Sequence, residues 1–264
     1  MPERGLKVAL IAAGGCGRTT QELRGHSMLR TLAVAAAFTT LAHAASAATA
    51  VTPTFQNFNE LPNATFGGSG IPNDPAAWSQ FTDADTNSVL TIGLIATQRF
   101  SNPALGNDGA GTYTATTGSN FGGAGQSSNE GALWNFNWYI DVSGSASIED
   151  FNVQVRYDLD AASGNELADL GTIDIAGLLA GSGSKTNEGS QNLFFGFLAS
   201  GAPGVTAPGG AFDAQATGEY SFAITSDLGD VAINVNVVPV PAALPLLASA
   251  FGIAALVKRR SRRA

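Results

Sequence analysis

Period-two alternation of apolar and polar residues limits this chain more than any other feature. Trp134, Phe136, Trp138, Ile140 and Val142 share one parity, and Asn135, Asn137, Tyr139 and Asp141 share the other. Successive strand residues point to opposite faces, so the run predicts a strand with one face in a core. Phe151, Val153, Val155 and Tyr157 alternate with Asn152, Gln154 and Arg156 in the same way. Ile173 and Ile175 make a shorter pair. Tyr220, Phe222 and Ile224, then Val231, Ile233, Val235 and Val237, flank the turn Ser226-Asp227-Leu228-Gly229-Asp230 and predict a closing β-hairpin. Weaker strands are expected at Val89–Ile95, Thr112–Thr117 and Leu193–Leu198. The Gly/Ser/Asn-rich stretches Gly67–Gly70, Gly118–Gly131, Gly181–Ser190 and Gly201–Gly210 read as loops. Helical signal is confined to Ala168–Leu170 and Ala176–Leu179. The pattern is that of an all-β chain folded as an Ig-like or jelly-roll-like β-sandwich.

Charge is segregated along the sequence. Between residues 48 and 236 only Arg99, Arg156 and Lys185 are basic, against nineteen acidic residues. So acidic a body repels phosphate backbones, which excludes nucleic acid as a partner. The one cysteine, Cys16, and both histidines, His26 and His43, precede residue 48. The body therefore lacks the residues for Ser-His-Asp or Cys-His nucleophiles and for zinc sites, and it reads as non-enzymatic. The carboxylates Glu130, Asp141, Glu149, Asp150 and Glu166 are of the type that cleaves glycosides, but no spacing singles out a pair.

Two loops carry oxygen ligands. Asp83, Asp85 and Asn87 have the D-x-D-x-N spacing that suits calcium, with Ser88 where an EF-hand needs Gly and Leu94 where it needs Glu. Asp158-Leu159-Asp160 with Asn165-Glu166 is a second oxygen-rich turn. No cofactor is expected, calcium being the one cation the spacing would suit. Trp134 and Trp138 are expected in the core. Tyr139 with Asn135, Asn137 and Asp141 would make a polar-aromatic strip open to a glycan.

Both ends read as targeting segments. Met28-Leu29-Arg30 opens a basic n-region and Leu32–Leu41 forms the apolar stretch of a signal helix. The A-x-A sites after it place cleavage after Ala47, with Ala44 and Ala50 as alternatives. Residues 1–27 read as an upstream extension before the true start at Met28. The exported domain is expected over 48–236 and a C-terminal signal over 237–264. In that signal Val238-Pro239-Val240-Pro241-Ala242 precedes an apolar run to Val257 and the basic cluster Lys258, Arg259, Arg260, Arg262 and Arg263 (tail 258–263). A helix over 242–257 would span about 24 Å, short of the roughly 30 Å hydrocarbon core, with Val237–Val240 able to extend it. The basic cluster holds the C-terminus in the cytoplasm, giving a single transmembrane helix.

This order of features resembles the PEP-CTERM sorting signal of Gram-negative bacteria, in its VPLPA-like (VPLPA-CTERM) form. Val240 stands where the commoner form has Glu between the prolines. The resemblance implies an exosortase that recognises Val238, Pro239, Pro241 and Ala242 and cuts near them. It further implies association with extracellular polysaccharide and biofilm matrix. The expectation is an exported protein, anchored in the inner membrane as a precursor and processed by signal peptidase and exosortase. It then passes to the cell surface or outside the cell. Alternatives are a carbohydrate-binding, or less readily glycan-cleaving, surface domain and a calcium-dependent adhesin.

Overall fold

A strand buried on one face needs a second layer to cover it, and the strongly alternating segments of this chain cover one another. The computed structural model describes residues 50–100, 103–123, 126–162 and 165–240. In chain order the elements are β1 (Asn57–Asn59), β2 (Ala76–Thr82), β3 (Val89–Gln98), β4 (Gly106–Asn107) and β5 (Thr112–Thr116). Next come β6 (Ser119–Phe121), β7 (Glu130–Ala132), β8 (Trp134–Ser143), a 3-10 turn (Ile148–Phe151), β9 (Gln154–Tyr157) and β10 (Gly171–Asp174). The last are α1 (Ile175–Leu178), β11 (Thr186–Gln191), α2 (Gly196–Ser200), β12 (Val205–Thr206), β13 (Gly218–Thr225) and β14 (Val231–Val238).

The strands form a five-stranded sheet, β1-β2-β3-β8-β11, and a seven-stranded sheet, β12-β10-β9-β13-β14-β5-β4, with β6 and β7 as a separate hairpin. Pairing within the two sheets is antiparallel except between β14 and β5, which run parallel with Asn234 opposite Thr112 and Val238 opposite Thr116. Inward residues of β3 and β8 are in register, Leu90 with Val142, Ile92 with Ile140, Leu94 with Trp138 and Ala96 with Phe136. They meet Tyr157, Tyr220, Phe222, Ile224, Ile233 and Val235 of the larger sheet in one buried cluster. At its centre the Phe136 and Phe222 rings stack at 4.6 Å and 21°. Trp134 meets Phe222 edge-on at 5.9 Å. As expected from parity, Trp134 and Trp138 are both buried.

Each sheet is also covered on its outer face. Over the seven-stranded sheet runs the segment 50–54: Val51 N donates to Asn165 O at 3.0 Å, and Thr54 and Ala232 exchange backbone bonds of 3.0 and 2.8 Å. Val51, Leu170, Ala223 and Ala232 form a small apolar cluster beneath it. Over the five-stranded sheet lies the 60–75 loop, which brings Leu61, Ala64 and Phe66 onto the main cluster. Gly93 makes room for it, since a Cβ there would lie 2.4 Å from Leu61 Cδ2. Glu188 of β11 holds the loop down, its Oε2 accepting from Thr65 N (3.1 Å), Thr65 Oγ1 (2.6 Å) and Gly67 N (2.7 Å).

Several expectations from the sequence need correction. Two stretches read as loops hold short strands, β6 and the start of β7 within Gly118–Gly131 and β12 within Gly201–Gly210. Leu193–Leu198 is not a strand: Phe195 N bonds Asn192 O and Leu198 N bonds Phe195 O, closing turns that lead into α2. Gly181–Ser190 is not all loop, because its second half is β11, whose Gly189 lies opposite Trp138. A Cβ at Gly189 would fall 2.2 Å from the Trp138 ring, so the residue that weakened the strand signal is the one the packing requires. Ile175 does not extend the Ile173 strand but starts α1, where Asp174 Oδ1 caps Gly177 N at 2.9 Å.

The Phe136–Phe222 stack joins the two sheets. Phe222→Ala is expected to destabilise the fold by about 3–5 kcal/mol, read as a lowered denaturant midpoint with unchanged slope. A loss below about 1 kcal/mol would mean that the sheets are held elsewhere.

Candidate functional site

The point where the sequence motif leaves the fold is the first candidate. β14 continues through Val237 and Val238, so these two residues belong to the sheet and not to a flexible lead-in. Val237 pairs with Gly218. Val238 O accepts from Thr117 N at 3.0 Å. These two residues are therefore not free to extend a membrane span, contrary to the expectation above. Pro239 has no N–H to continue the ladder, which is why the strand stops there. Pro239 and Val240 are exposed. Pro241, Ala242, the apolar run, Lys258, Arg259, Arg260, Arg262 and Arg263, and Ala47, after which cleavage is expected, all lie outside the described residues. Among the described residues no helix is long and apolar enough to cross a membrane.

The loop with Asp83, Asp85 and Asn87 joins β2 to β3. Asp83 Oδ2 accepts from Thr86 N (3.0 Å) and from Thr86 Oγ1 (2.5 Å), bonds that hold its carboxyl below the usual range. Asn87 takes a left-handed backbone, φ 55°, and its N–H bonds Asp83 O at 2.9 Å. The spacing thus builds a hydrogen-bonded turn. Asp83 and Asp85 border a cleft with Asp150 and Asp227. Among the described residues no group of three or more His, Cys, Asp or Glu side chains is placed to hold a metal ion.

The second oxygen-rich loop is bound to the sheet. Asp158 is buried and its carboxylate accepts from Asp160 N (2.9 Å), Asn165 Nδ2 (2.7 Å) and Ser221 N (3.3 Å). Burial nevertheless raises its pKa, with the Asp160 charge adding to the effect and the hydrogen bonds opposing it. Its neighbour Glu166 is separate, bridging through its backbone to Ala50.

The polar-aromatic strip on β8 is not open. Tyr139 and Asn137 are buried, and Asn137 Nδ2 donates to Ile95 O (3.0 Å) and Thr97 Oγ1 (3.1 Å). The 60–75 loop covers this face, and the alternation that correctly oriented Trp138 carried no information about a distant loop.

The candidate carboxylates are dispersed. Glu130 in β7 accepts from Ser119 Oγ, Asp141 from Thr186 Oγ1, Glu149 from Gly181 N and Asp150 from Ser147 N and Oγ. Each is engaged in its own local structure.

A groove that the sequence did not mark lies between the 50–54 segment and the seven-stranded sheet. It encloses about 710 Å³, with Val51, Leu167, Ala223 and Ala232 on its apolar side and Arg156, Glu166 and Asp230 on its polar side. Arg156 donates from Nη1 to Thr172 Oγ1 at 2.7 Å, while its buried Nε has no partner among the described residues. Its only sequence signal was that of a lone basic residue on the polar parity of β9.

Comparison with protein families, with curated proteins and with solved structures finds no match for this chain.

Asp158 gives a pH test. A carboxyl whose pKa is raised on folding binds its proton more tightly folded than unfolded. Its contribution to stability therefore falls as pH rises from about 4 through the folded value. The melting temperature of Asp158→Asn minus that of wild type is expected to become more positive between about pH 4 and neutrality. A difference that moves the other way would show that the hydrogen bonds, not burial, govern this group.

Proposed function

We propose that this chain is an exported, non-enzymatic surface or matrix protein. Its body is an Ig-like β-sandwich, and its C-terminal segment is a PEP-CTERM-type sorting signal of the VPLPA-like form, cut by an exosortase. The observation that carries the reading is the end of β14. The last sheet hydrogen bond in the described chain is made by Val238 O, at the first residue of the motif. A cut beyond Val238 removes no strand from the sheet, so the body survives release. Signal peptidase acting after Ala47 would likewise leave the 50–54 segment on its sheet. The precursor would be held in the inner membrane by Ala242–Val257 and the mature body would reach the cell surface or the extracellular polysaccharide.

The Ig-like assignment, in preference to a jelly roll, rests on pairing. β3, β8 and β11 make one layer, while β10, β9, β13, β14 and β5 make the other, with the final strand parallel to β5. Ig domains link their sheets near the centre, commonly by a disulfide. Here the Phe136–Phe222 stack occupies such a position. Tyr220, near the start of β13, donates from its hydroxyl to Asp213 O at 3.4 Å, similar to the tyrosine corner of that fold. Fold likeness carries no function.

Intact mass of the protein recovered from envelope and medium tests the processing. The expected species begins at Ala48 and ends between Val238 and Ala242. A mature form retaining Lys258–Arg263 would reduce the segment to a plain anchor.

A second reading, glycan binding, is favoured by the Arg156 groove. An apolar wall beside one guanidinium and two carboxylates suits the C–H face and hydroxyls of a neutral sugar. Retarded migration in gels containing neutral polysaccharide, lost in Arg156→Ala and Glu166→Gln, is expected on this reading. Equal mobility of all three proteins with and without polysaccharide would remove it.

A further inference from the structure

Large apolar side chains are exposed at Phe121, Phe194, Phe195, Phe197, Leu178 and Val240. All but Leu178 belong to one end of the sandwich. Val238 ends β14 opposite Thr116, the end of β5. Two residues on, Gly118 N bonds Ala214 O (2.7 Å), and Leu133 N bonds Gly118 O (3.3 Å). The β6–β7 hairpin that begins there carries Phe121 opposite Glu130. Phe212, two residues before Ala214, packs on Phe194 at 5.6 Å and on Trp134 at 6.4 Å. Phe195 stacks with Phe197 at 6.1 Å, and it borders the same cleft as Phe100 and Gln126 of the neighbouring loops. Phe121 is the most exposed, at 66%. Four outward rings from two segments at one end, the β6–β7 hairpin and residues 194–197, form a patch of a kind that marks an interaction surface.

We infer that this phenylalanine-bearing end rests in the interfacial layer of a lipid bilayer while the precursor is anchored. The inference rests on the reading of Ala242–Val257 as a membrane span. Only Pro239, Val240 and Pro241 separate the sheet from Ala242. Three residues reach at most about 10 Å, and two of the three are prolines with fixed φ. The span itself, about 24 Å as a helix, falls short of the roughly 30 Å hydrocarbon core. It therefore draws its attachment point down into the interface and does not hold it above the headgroups. The loops beside that point must meet lipid, and their rings are what the acyl–headgroup boundary accepts. The same end carries Glu130 and Asp213, which do not attract anionic headgroups. Ring burial drives the contact, and added salt leaves it unchanged.

A chain starting at Met28 has no cysteine, so single cysteines can carry an environment-sensitive fluorophore without interference. The full chain is reconstituted in phosphatidylcholine vesicles with labels at Phe121→Cys, at Ala199→Cys on α2, or at Ala84→Cys in the opposite β2–β3 loop. Nitroxide-bearing lipid is expected to quench the first two severalfold more than the third, with or without salt. Serine at Phe194, Phe195 and Phe197 together should bring quenching at position 121 toward that at position 84. Equal quenching at all three sites, in vesicles that retain the chain through a carbonate wash, overturns the contact and leaves the anchor standing. Labels shielded from water but unquenched overturn it in favour of a protein segment or a second copy as the cover. A chain lost in the wash removes the membrane reading, and the contact with it.

Discussion

The stack of Phe136 on Phe222 is the contact on which the other layers depend. It is the closest ring pair of the core, at 4.6 Å, and it joins β13, the middle strand of the larger sheet, to β8, an interior strand of the smaller one. Trp134, Tyr157 and Tyr220 are arranged around it. With no cysteine in the described residues, nothing covalent holds the sheets together, so aromatic area replaces a cross-link. A buried ring contributes both area and directional packing. The cost is that this centre tolerates little change in shape.

Around that centre, two loops are fastened by carboxylate clamps. Glu188 gathers three donors of the 60–75 loop onto one carboxylate oxygen. Asp158 gathers three donors from its own loop and from β13. In a chain with three basic residues in its body, carboxylates find backbone and side-chain N–H and O–H partners in place of cations. The acidic balance that looked like a surface property is in part a set of internal fastenings.

What the sequence made legible follows from this division. Strands with one face in the core were readable because alternation reports a face directly; β8, β13 and β14 appeared near their true limits. Leu193–Leu198 misled because a continuous apolar run has no period to distinguish strand from turn. β11 was hidden because Gly189 serves Trp138, Glu188 serves the covering loop, and Thr186, Asn187 and Ser190 bond side chains of β8. Tyr139 was assigned to the correct parity but not to the correct environment, since the loop that buries it lies far away in sequence. At the C-terminus, the expected boundary between 236 and 237 fell two residues short, because β14 runs on to Val238 and stops only at Pro239. The Arg156 groove had no local sign, because it exists only where residues 50–54 cross a sheet made much later in the chain.

The parallel pairing of β14 with β5 has a mechanical consequence. β14 leaves the body along its own axis, with β13 on one side and β5 on the other. A pull on the C-terminus while the body is held elsewhere would act along the strand. The ladders on both flanks would then be sheared together and not peeled apart one bond at a time. Shared loading is the more resistant geometry, so the strand that ends the domain is also the one placed to bear tension.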